Sequence, residues 1–397
     1  MKTKFSILLP TRNRSHVVGH AIRSVLGQSV PDLELVISDN SSNDETAKLV
    51  RTFADPRIRY FRTERVLGMP DNFENAASKS TGDWITLLPD DCVLSSRCLE
   101  ISERTLASHP SKVVVWDWWH FYPESAADPA RRVQYIRRPF DGAIRYESAH
   151  DTLRDLFAMQ HGKTLPKPYQ SLVHRSLVDT LRTRLGRVFP PPAPDYTFLT
   201  AVLAMTDRYT FVDLPLMLSS AGDTTPHASP EAFGRFLAEL DEAKKGGWGP
   251  IKIPIIHPGT ILVESICRVQ AELPELAEFR LDLENYLVDF KRQLAIYTEQ
   301  KYPVEFEWSK YEEFVSRLPL TTRVRVAVRS ARDRVRKATR RRAKQLVLKA
   351  KLLERFVTYA SGSSVVRGER EGFANISEAM VHLERSFANL APAATGR

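Results

Sequence analysis

Two adjacent carboxylates follow an apolar run in the stretch ITLLPDDCVL, residues 85–94. Asp90 and Asp91 come where a buried strand is expected to reach the surface. Neighbouring carboxylates suit a hard divalent cation such as Mg²⁺ or Mn²⁺, which often shares its oxygen ligands with substrate phosphates. The alternative is a helix cap, but Ser95 and Ser96 are closer to the next helix and cap well themselves. The pattern therefore favours a site for a metal ion that carries a diphosphate.

Two further carboxylates are expected at the same edge of a sheet. Asp39 ends the predicted strand LELVIS, and Asp195 follows the proline-rich loop VFPPPAPDY. Ligands of open parallel α/β sheets bind at the carboxyl ends of the strands, beside helix N-termini. Each aspartate alone could equally cap a helix, but several at one edge predict a shared binding site.

Short β-like runs alternate with helix-period segments over the first ~115 residues, which predicts βαβ units and an α/β fold with a mostly parallel sheet. Two patterns, Ser42-x-x-Glu45 and Asp71-x-x-Glu74, are expected to cap the second and third helices. Predicted strands cover residues 5–9, 33–38, 58–61, 84–88 and 113–122, with shorter ones near 170–173 and 209–212. Predicted helices cover 148–158, 176–185 and 195–205, and residues 230–300 are mainly helical.

The chain has 397 residues, and its net charge of +9 is concentrated in one segment. Residues 321–355 hold fourteen Lys or Arg and two acidic residues, so the rest of the chain carries −3. We expect four parts. They are an α/β domain over 1–225, a mainly helical appendage over 226–318, a basic amphipathic helical segment over 319–360 and a partly flexible tail over 361–397.

The basic segment carries a thin apolar stripe at three- and four-residue spacing, which includes Val324, Val328 and Val335. A basic amphipathic helix can lie on an anionic membrane surface, so residues 321–358 are candidates for that contact. A solvated helix packed on its own domain is the alternative. Nucleic acid is not expected as a partner, because no aromatic residues are interleaved with the charges.

Missing motifs argue against several function classes. Neither a G-x-x-x-x-G-K-[ST] loop nor a G-x-G-x-x-G after the first strand is present, which disfavours P-loop enzymes and nicotinamide dehydrogenases. Three scattered cysteines indicate a reducing compartment. No run reaches the ~18–20 apolar residues of a membrane span, and the N-terminal apolar patch is too short for a secretory signal. We therefore expect a cytoplasmic protein, with peripheral contact at the inner face of the cell membrane.

Three segments in a fixed order carry a resemblance to a known family: SILLPTRNR with the helix end AIRSVLGQS, LELVISDNSSNDET, and LGMPDNFENAASKSTGDWITLLPDD. Over residues 4–95 the chain resembles the family-2 inverting glycosyltransferases with a GT-A fold. A looser resemblance continues through SLVHRSLVDTLRTRLG, PAPDYTFLTAVLA and VDLPLML to residue 222. It implies a Rossmann-like GT-A domain, a nucleoside-diphosphate sugar as donor, and Mn²⁺ or Mg²⁺ as cofactor.

The resemblance also implies roles for residues around the nucleotide. Pro10, Thr11 and Arg12 would lie against the nucleobase. Arg12 stands where an aromatic residue is common, and a guanidinium plane also stacks on a base. Asp39 would accept a hydrogen bond from the base, and Asn72 would lie near the nucleotide.

The remaining implied roles concern the metal and the reaction. Asp91 aligns with the metal-binding aspartate, and Asp90 takes the middle position of the motif, with a ribose or metal role. Pro89 replaces the first aspartate of the family's Asp-x-Asp, which leaves the division of labour open. His227 would complete the metal shell or touch the diphosphate. Asp195 would act as general base, taking the proton of the acceptor hydroxyl as the new bond forms opposite the leaving diphosphate.

The strand VVVWDWWHFY, residues 113–122, holds three of the six tryptophans. Side chains alternate between the faces of a strand, so both faces are aromatic. Trp119 could stack on an acceptor sugar, and Asp117 could bind its hydroxyls. A buried strand that fills the core with tryptophan explains the run equally well.

These inferences predict an inverting glycosyltransferase that acts on a glycan or lipid-linked acceptor in cell-surface polysaccharide or glycoconjugate synthesis. One alternative is a sugar-phosphate nucleotidyltransferase, which shares the sheet type and the metal. That class begins with a glycine-rich basic loop, which PTRNRSHVVG lacks. The other alternative is a non-catalytic nucleotide- or membrane-binding protein on a decayed transferase domain, because the metal motif is altered.

Overall fold

A computed structural model describes most of the chain. The described residues are 4–126, 128–160, 162, 164–222, 258–299, 302, 304–349 and 363–387. His227 and the predicted helical residues 230–257 lie outside them. Within the described ranges eleven strands form one sheet. They are β1 Phe5–Thr11, β2 Leu33–Asp39, β3 Ile58–Arg62, β4 Trp84–Leu87, β5 Cys92–Leu94, β6 Val113–Tyr122, β7 Gln134–Arg137, β8 Ile144–Ser148, β9 Ser171–His174, β10 Arg208–Ser220 and β11 Ser364–Arg367.

Parallel pairing dominates the N-terminal half of the sheet. β1 lies between β2 and β4, and β3 extends β2, all in parallel. β1 and β2 are buried along their whole length, as expected for parallel strands covered on both faces. Beyond β4 the sheet is mixed, because β9 pairs antiparallel with both β4 and β6, while β6 and β10 are parallel. The predicted α/β class is thus confirmed, with an antiparallel component that was not predicted.

Helices cover both faces of the sheet. They are α1 Ser15–Leu26, α2 Glu45–Arg51, α3 Met69–Lys79, α4 Cys98–Ser108, α5 Ala149–Phe157, α6 Arg175–Leu185, α7 Pro194–Ala204, α8 Pro258–Glu272, α9 Leu283–Glu299, α10 Glu305–Ser316, α11 Leu320–Lys349, α12 Gly368–Glu371 and α13 Ile376–Arg385. Leu8 belongs to a core with α3 and α5 to α9, whereas Ile7 and Leu9 belong to a second core with α1, α4 and α13. Because alternate residues of β1 face opposite sides, the two cores lie on opposite faces of the sheet.

Both predicted capping boxes are wrong. α2 begins at Glu45, and the side chain of its N-cap residue Asp44 makes no capping hydrogen bond, whereas Asn43 Oδ1 accepts from the Glu45 N–H (3.1 Å). α3 begins at Met69, directly after Gly68, because Pro70 fits the first turn of a helix, where its missing N–H needs no partner.

The prediction omitted β5, β7, β8 and β11 and made β10 too short. β10 has 13 residues and runs through Pro215. Pro215 lies where the pairing register with β6 shifts, a position at which a ladder hydrogen bond can be lost. Pro215 therefore does not end β10, although a proline inside an apolar segment often marks the end of a strand.

The predicted helical extension is confirmed in α8 to α11. α11 covers residues 320–349 of the basic segment, and residues 350–358 lie outside the described ranges. Throughout the ranges that the structure describes, we find no helix with the length and apolar character that crossing a membrane requires.

Residues 363–387 pack onto the N-terminal domain, although the prediction placed them in a partly flexible tail. β11 pairs antiparallel with β7. α13 buries Met380 and Leu383 in the core that it shares with α1 and α4. The Ser96 N–H and hydroxyl donate hydrogen bonds to Glu384 (2.5 and 3.0 Å). This segment therefore completes the first domain.

Candidate functional site

An open cavity of about 210 Å³ lies at the carboxyl edge of the parallel strands. The parallel register places the end of β1 beside the end of β2, with Thr11 opposite Asp39. The cavity is lined by Pro10, Thr11, Arg12, Arg14, Asn40, Leu67, Gly68, Met69, Asn72, Phe73, Pro89 and Asp90. The fold thus brings together five residues that the sequence assigns to a nucleotide sugar: Pro10, Thr11, Arg12, Asn72 and Asp90.

Asp90 is held in this cavity by two neighbours. The Thr11 hydroxyl donates to Asp90 Oδ2 (2.7 Å), and Arg14 Nη1 donates to Asp90 Oδ1 (2.8 Å). The same Arg14 nitrogen lies 3.4 Å from Asp91 Oδ2. Because Asp90 is only 5% exposed, its charge needs these donors for compensation. Sequence reasoning missed Arg14, although it belongs to the quoted segment SILLPTRNR.

Asn40 and Asn72 form part of the cavity wall and are themselves fixed by hydrogen bonds. Asn72 Oδ1 accepts from the Ser38 hydroxyl (2.6 Å). Asn40 Nδ2 donates to the Leu67 carbonyl (2.9 Å), and its Oδ1 accepts from the Leu67 N–H (2.8 Å). The wall is therefore rigid before any ligand arrives.

Asp39 lies behind this wall and is fully buried. Its Oδ1 accepts from the Ser41 N–H (2.9 Å) and its Oδ2 from the Tyr60 hydroxyl (2.6 Å). Desolvation and this bond to Asp39 raise the pKa of Tyr60 well above its usual range, so Tyr60 remains a donor. The structure therefore argues against direct contact between Asp39 and a base, and Asn40 is the neighbouring residue that reaches the cavity.

Arg12 is exposed at the cavity and makes no hydrogen bond or ion pair with any residue in the described ranges. Its guanidinium plane is therefore available to stack on a base or to meet a phosphate. Arg12 differs in this respect from Arg14, which is already engaged by the two aspartates.

Asp91 has the chemistry of a divalent-cation ligand. Among the described residues no group of three or more His, Cys, Asp or Glu side chains could hold an ion alone. A metal-diphosphate needs only one or two protein oxygens, which Asp90 and Asp91 can offer. Asp90 and Asp91 fit such an ion if their carboxylates bind both the ion and the Arg14 guanidinium. His227 lies outside the described residues, so its metal role stays a prediction.

Asp195 lies at the start of α7 in a recess with a cation and two phenols. Lys167 Nζ is 3.9 Å from Asp195 Oδ2 and donates to the Tyr196 hydroxyl (3.3 Å). Lys167 Nζ also lies 5.5 Å from the centroid of the Tyr169 ring. Asp195 is 25% exposed and Lys167 15%, so both keep an open edge. Sequence reasoning missed Lys167 and Tyr169, which precede β9 without any recognisable motif.

The recess changes the proton affinity of both charged groups. Desolvation raises the pKa of Asp195, and Lys167, backbone N–H groups and Tyr169 offset part of that rise. Desolvation alone lowers the pKa of Lys167, but Tyr169, Tyr196 and Asp195 raise it well above its usual range. A partly desolvated carboxylate of raised pKa beside a permanent cation is suited to general-base chemistry.

Two sets of hydrogen bonds hold this recess beside the cavity. The Pro168 carbonyl, between Lys167 and Tyr169, accepts from the Leu87 N–H (2.9 Å) at the end of β4. On the other side, Glu74 of α3 accepts from the backbone N–H groups of the loop that precedes α7, at Val188 and Phe189 (2.8 and 3.0 Å). The predicted capping glutamate therefore anchors the loop that carries Asp195.

Asp117 and Trp119 do not fit the acceptor roles considered for them. Trp119 is fully buried and stacks on Tyr135 at 6.0 Å between ring centroids. Asp117 is 1% exposed and accepts from the Trp119 indole N–H (3.1 Å). The structure thus favours the alternative, in which this face of β6 fills the core.

Comparison with known proteins assigns this region to a family. The profile described as Glycosyl transferase family 2 matches residues 6–176. Residues 6–176 therefore belong to glycosyl transferase family 2, the class that the ordered motifs implied.

Individual relatives match a smaller part. The GalNAc(5)-diNAcBac-PP-undecaprenol beta-1,3-glucosyltransferase of Campylobacter jejuni is 35% identical over 99 residues, 24% of this chain and 32% of that protein. The UDP-Glc:alpha-D-GlcNAc-diphosphoundecaprenol beta-1,3-glucosyltransferase WfgD of Escherichia coli is 31% identical over 96 residues, 24% of this chain and 38% of that protein. The chain thus spans about a third of the length of these curated relatives.

One solved structure is similar over a longer range. It is S. aureus TarS 1-349 in complex with UDP-GlcNAc, with a TM-score of 0.45 and 16% sequence identity. The match covers 72% of this chain and 80% of that chain.

Proposed function

We propose that the protein transfers a sugar from a nucleoside-diphosphate sugar to an acceptor hydroxyl with inversion, in the synthesis of a cell-surface glycan. The observation that carries this proposal is the placement of two different sites at one sheet edge. The cavity with Asp90 and Arg14 suits a charged nucleotide, and the recess with Asp195 and Lys167 suits proton removal. The Pro168 backbone ties the recess to the end of β4, directly before the cavity.

The proposed reaction is a single displacement. Asp195 takes the proton of the acceptor hydroxyl while the hydroxyl oxygen bonds to the anomeric carbon. The bond between that carbon and the diphosphate oxygen breaks on the opposite side, so the configuration inverts. Lys167 keeps Asp195 ionised against the cost of burial, and Arg14 places positive charge beside the departing diphosphate.

Asp91, with Asp90, would hold the divalent cation that we propose as cofactor. When bound, Mg²⁺ or Mn²⁺ neutralises charge on the departing diphosphate. We propose that His227 completes this shell. The nucleotide itself would lie against Pro10, Thr11, Arg12 and Asn72.

The acceptor is proposed to be lipid-linked, because both curated relatives named above carry undecaprenol diphosphate acceptors in their names. A lipid-linked acceptor requires that the enzyme reach a membrane surface. α11 supports this requirement, because it packs on α9 through buried Val326 and pairs Arg329 with Asp282 (3.3 Å). Its opposite face leaves an apolar stripe exposed among arginines: Leu320, Val324, Val328 and Val335 are 69, 52, 44 and 66% exposed. We propose that this stripe rests on the anionic inner face of the cell membrane.

Donor turnover tests the catalytic proposal. The protein is incubated with a panel of nucleotide sugars, with and without Mn²⁺, and released nucleoside diphosphate is measured. Metal-stimulated release of nucleoside diphosphate supports the transferase. Release of pyrophosphate from a sugar phosphate and a nucleoside triphosphate would support the nucleotidyltransferase instead. Tight donor binding without any turnover would support the non-catalytic alternative.

Vesicle co-sedimentation tests the membrane proposal. Val324→Asp and Val328→Asp should weaken binding to phosphatidylglycerol vesicles, and Val381→Asp, an exposed valine on α13, is the matched control. Equal binding of wild type to phosphatidylcholine vesicles, or unchanged binding of both α11 variants, would contradict the proposed contact.

A further inference from the structure

The last part of β6 exposes a row of aromatic side chains that the proposed mechanism does not use. Trp118, His120 and Tyr122 alternate with the buried Trp119 and Phe121, so they share the opposite face of the strand. Trp118 contacts His120 edge-on with ring centroids 4.6 Å apart, and His120 lies 6.4 Å from Tyr122. We call these three residues, with Tyr169, the aromatic strip.

The aromatic strip leads directly to the proposed general base. Trp118 and Tyr169 are in edge contact, with ring centroids 6.2 Å apart. Lys167 Nζ lies 5.5 Å from the centroid of the Tyr169 ring and 3.9 Å from Asp195 Oδ2. Tyr169 and Lys167 therefore lie between the Trp118 ring and the carboxylate that would remove the acceptor proton.

The neighbouring strand β10 links the end of β6 to the backbone of Asp91. Ser220, which pairs with Phe121 in the sheet, donates its N–H to the carbonyl of Asp91 (3.0 Å). The end of β6 thus lies between Asp91 on one side and the recess with Tyr169 and Asp195 on the other.

The surface chemistry of the strip suits a sugar ring. Trp118 and Tyr122 are half-buried, and His120 is exposed. The nearby Arg138 guanidinium disfavours the protonated form of His120 and so lowers its pKa, and the neutral ring can accept a hydroxyl hydrogen bond. Aromatic faces pack against the C–H face of a sugar while polar ring edges meet its hydroxyls.

We infer that the aromatic strip is the acceptor subsite, in which the Trp118 ring stacks on the sugar that carries the attacking hydroxyl. The inference rests on the proposed transferase function and replaces Trp119 and Asp117 as acceptor residues. It identifies a carbohydrate ring as the part of the acceptor that the protein holds. Tyr169 and Lys167 lie between this ring and Asp195.

Direct binding of simple glycosides tests the subsite without any donor. Indole N–H signals of the full chain are recorded by nuclear magnetic resonance during titration with a panel of methyl glycosides to about 100 mM, where Kd values weaker than 1 mM are still detected. Trp118→Phe identifies the Trp118 signal. Trp84→Phe identifies the signal of Trp84, a half-buried tryptophan at the start of β4 that serves as the matched control. At least one glycoside should shift the Trp118 signal and leave the Trp84 signal unmoved. No shift with any glycoside, or equal shifts of both signals, would overturn the subsite.

Turnover provides a second, independent readout. Trp118→Ala should raise the acceptor KM roughly three- to tenfold, as expected for loss of one aromatic contact. Donor KM and the slow hydrolysis of donor by water should stay within twofold of wild type. An equal fall in transfer and donor hydrolysis would show a structural defect and contradict the assignment. Because glycoside binding needs no donor, its failure is distinguishable from failure of the transferase proposal.

Discussion

The cavity and the recess differ in how their polar groups are held. In the cavity, Asp90, Asn40 and Asn72 are each satisfied by neighbours within the parallel βα units. In the recess, Asp195 at the start of α7 faces Lys167 from the loop before β9, and these two opposite charges compensate each other. This difference agrees with the roles proposed above, in which the cavity binds the nucleotide and the recess exchanges a proton. The difference implies that variants in the two regions should fail in different kinetic steps.

The largest effect is expected at the recess. Asp195→Asn removes the base and leaves the shape, so sugar transfer should fall by roughly 10²–10⁴-fold while donor affinity stays near normal. Asp207→Asn, at an exposed aspartate just after α7, is the matched control. Steady-state transfer and nucleotide titration measure the two quantities. Unchanged transfer would remove Asp195 from the mechanism.

The next largest effect is expected at the cavity, in binding instead of turnover. Asp91→Ala removes a proposed metal ligand, and nucleotide affinity in Mn²⁺ should drop by at least the roughly 10–100-fold that loss of a supporting metal contact costs. Affinity without metal should change little. Calorimetric titration of nucleoside diphosphate with and without Mn²⁺ measures this, with the exposed Asp44→Ala as control. Equal affinities in Mn²⁺ would contradict the assignment of Asp91.

A pH profile separates the roles of the recess residues. The Lys167 ammonium ion opposes the rise in the Asp195 pKa that desolvation causes. Lys167→Met should therefore move the acidic limb of kcat/KM to higher pH, because Asp195 then takes up its proton earlier as the pH falls. Lys167→Arg should keep the limb close to its original position. A uniform loss at every pH would instead indicate that Lys167 only supports the loop.

The smallest effect concerns stability beneath the cavity. Glu34 is buried and accepts from the Ser6 hydroxyl (2.6 Å) and the Thr81 N–H (2.5 Å), with Arg59 as its ion-pair partner. Burial raises the pKa of Glu34, but these hydrogen bonds outweigh it and hold the pKa below the usual 4.5. Glu34→Gln should lower the free energy of unfolding by about 1–3 kcal/mol at pH 7.

The sign of this effect follows from the lowered pKa. Stabilisation by ionised Glu34 is complete above the pKa of the unfolded chain and is lost as the pH falls through the folded-state pKa. The gap between wild type and Glu34→Gln in urea unfolding should therefore narrow as the pH falls below 4.5. A gap that is constant down to acid pH would exclude ionisation of Glu34 as its cause.

Sequence reasoning succeeded where local pattern decides structure. The five strands predicted up to residue 122 are all present, and the cavity residues Pro10, Thr11, Arg12, Asn40 and Asp90 follow strand ends that periodicity could identify. It failed where long-range packing decides. Glu74 looked like a capping residue because the backbone it serves, at Val188, is more than a hundred residues away. Asp39 looked like a ligand because strand position does not reveal that Tyr60 covers it.

The acceptor side shows the same limit. Alternation indicated that both faces of β6 are aromatic, but it could not say which face the C-terminal segment would cover. Tyr135, against which Trp119 stacks, also stacks on Phe373, and this contact with residues 363–387 identifies the buried face. No sequence pattern identified Lys167 and Tyr169, because their role depends on long-range contacts. Pro168 anchors their loop to the end of β4, and α7 places Asp195 beside Lys167.

The pairing of β11 with β7 has a consequence for synthesis of the chain. Gln134 pairs with Tyr122 on one side, but its partner on the other side is Arg367, so the ribosome must make more than two hundred further residues before this edge is closed. Until then Phe121 and Tyr135 lack the cover of Phe373 and α13. The nascent domain should therefore depend on a chaperone during translation, and shortened chains that end before residue 363 should aggregate even though they retain both proposed sites.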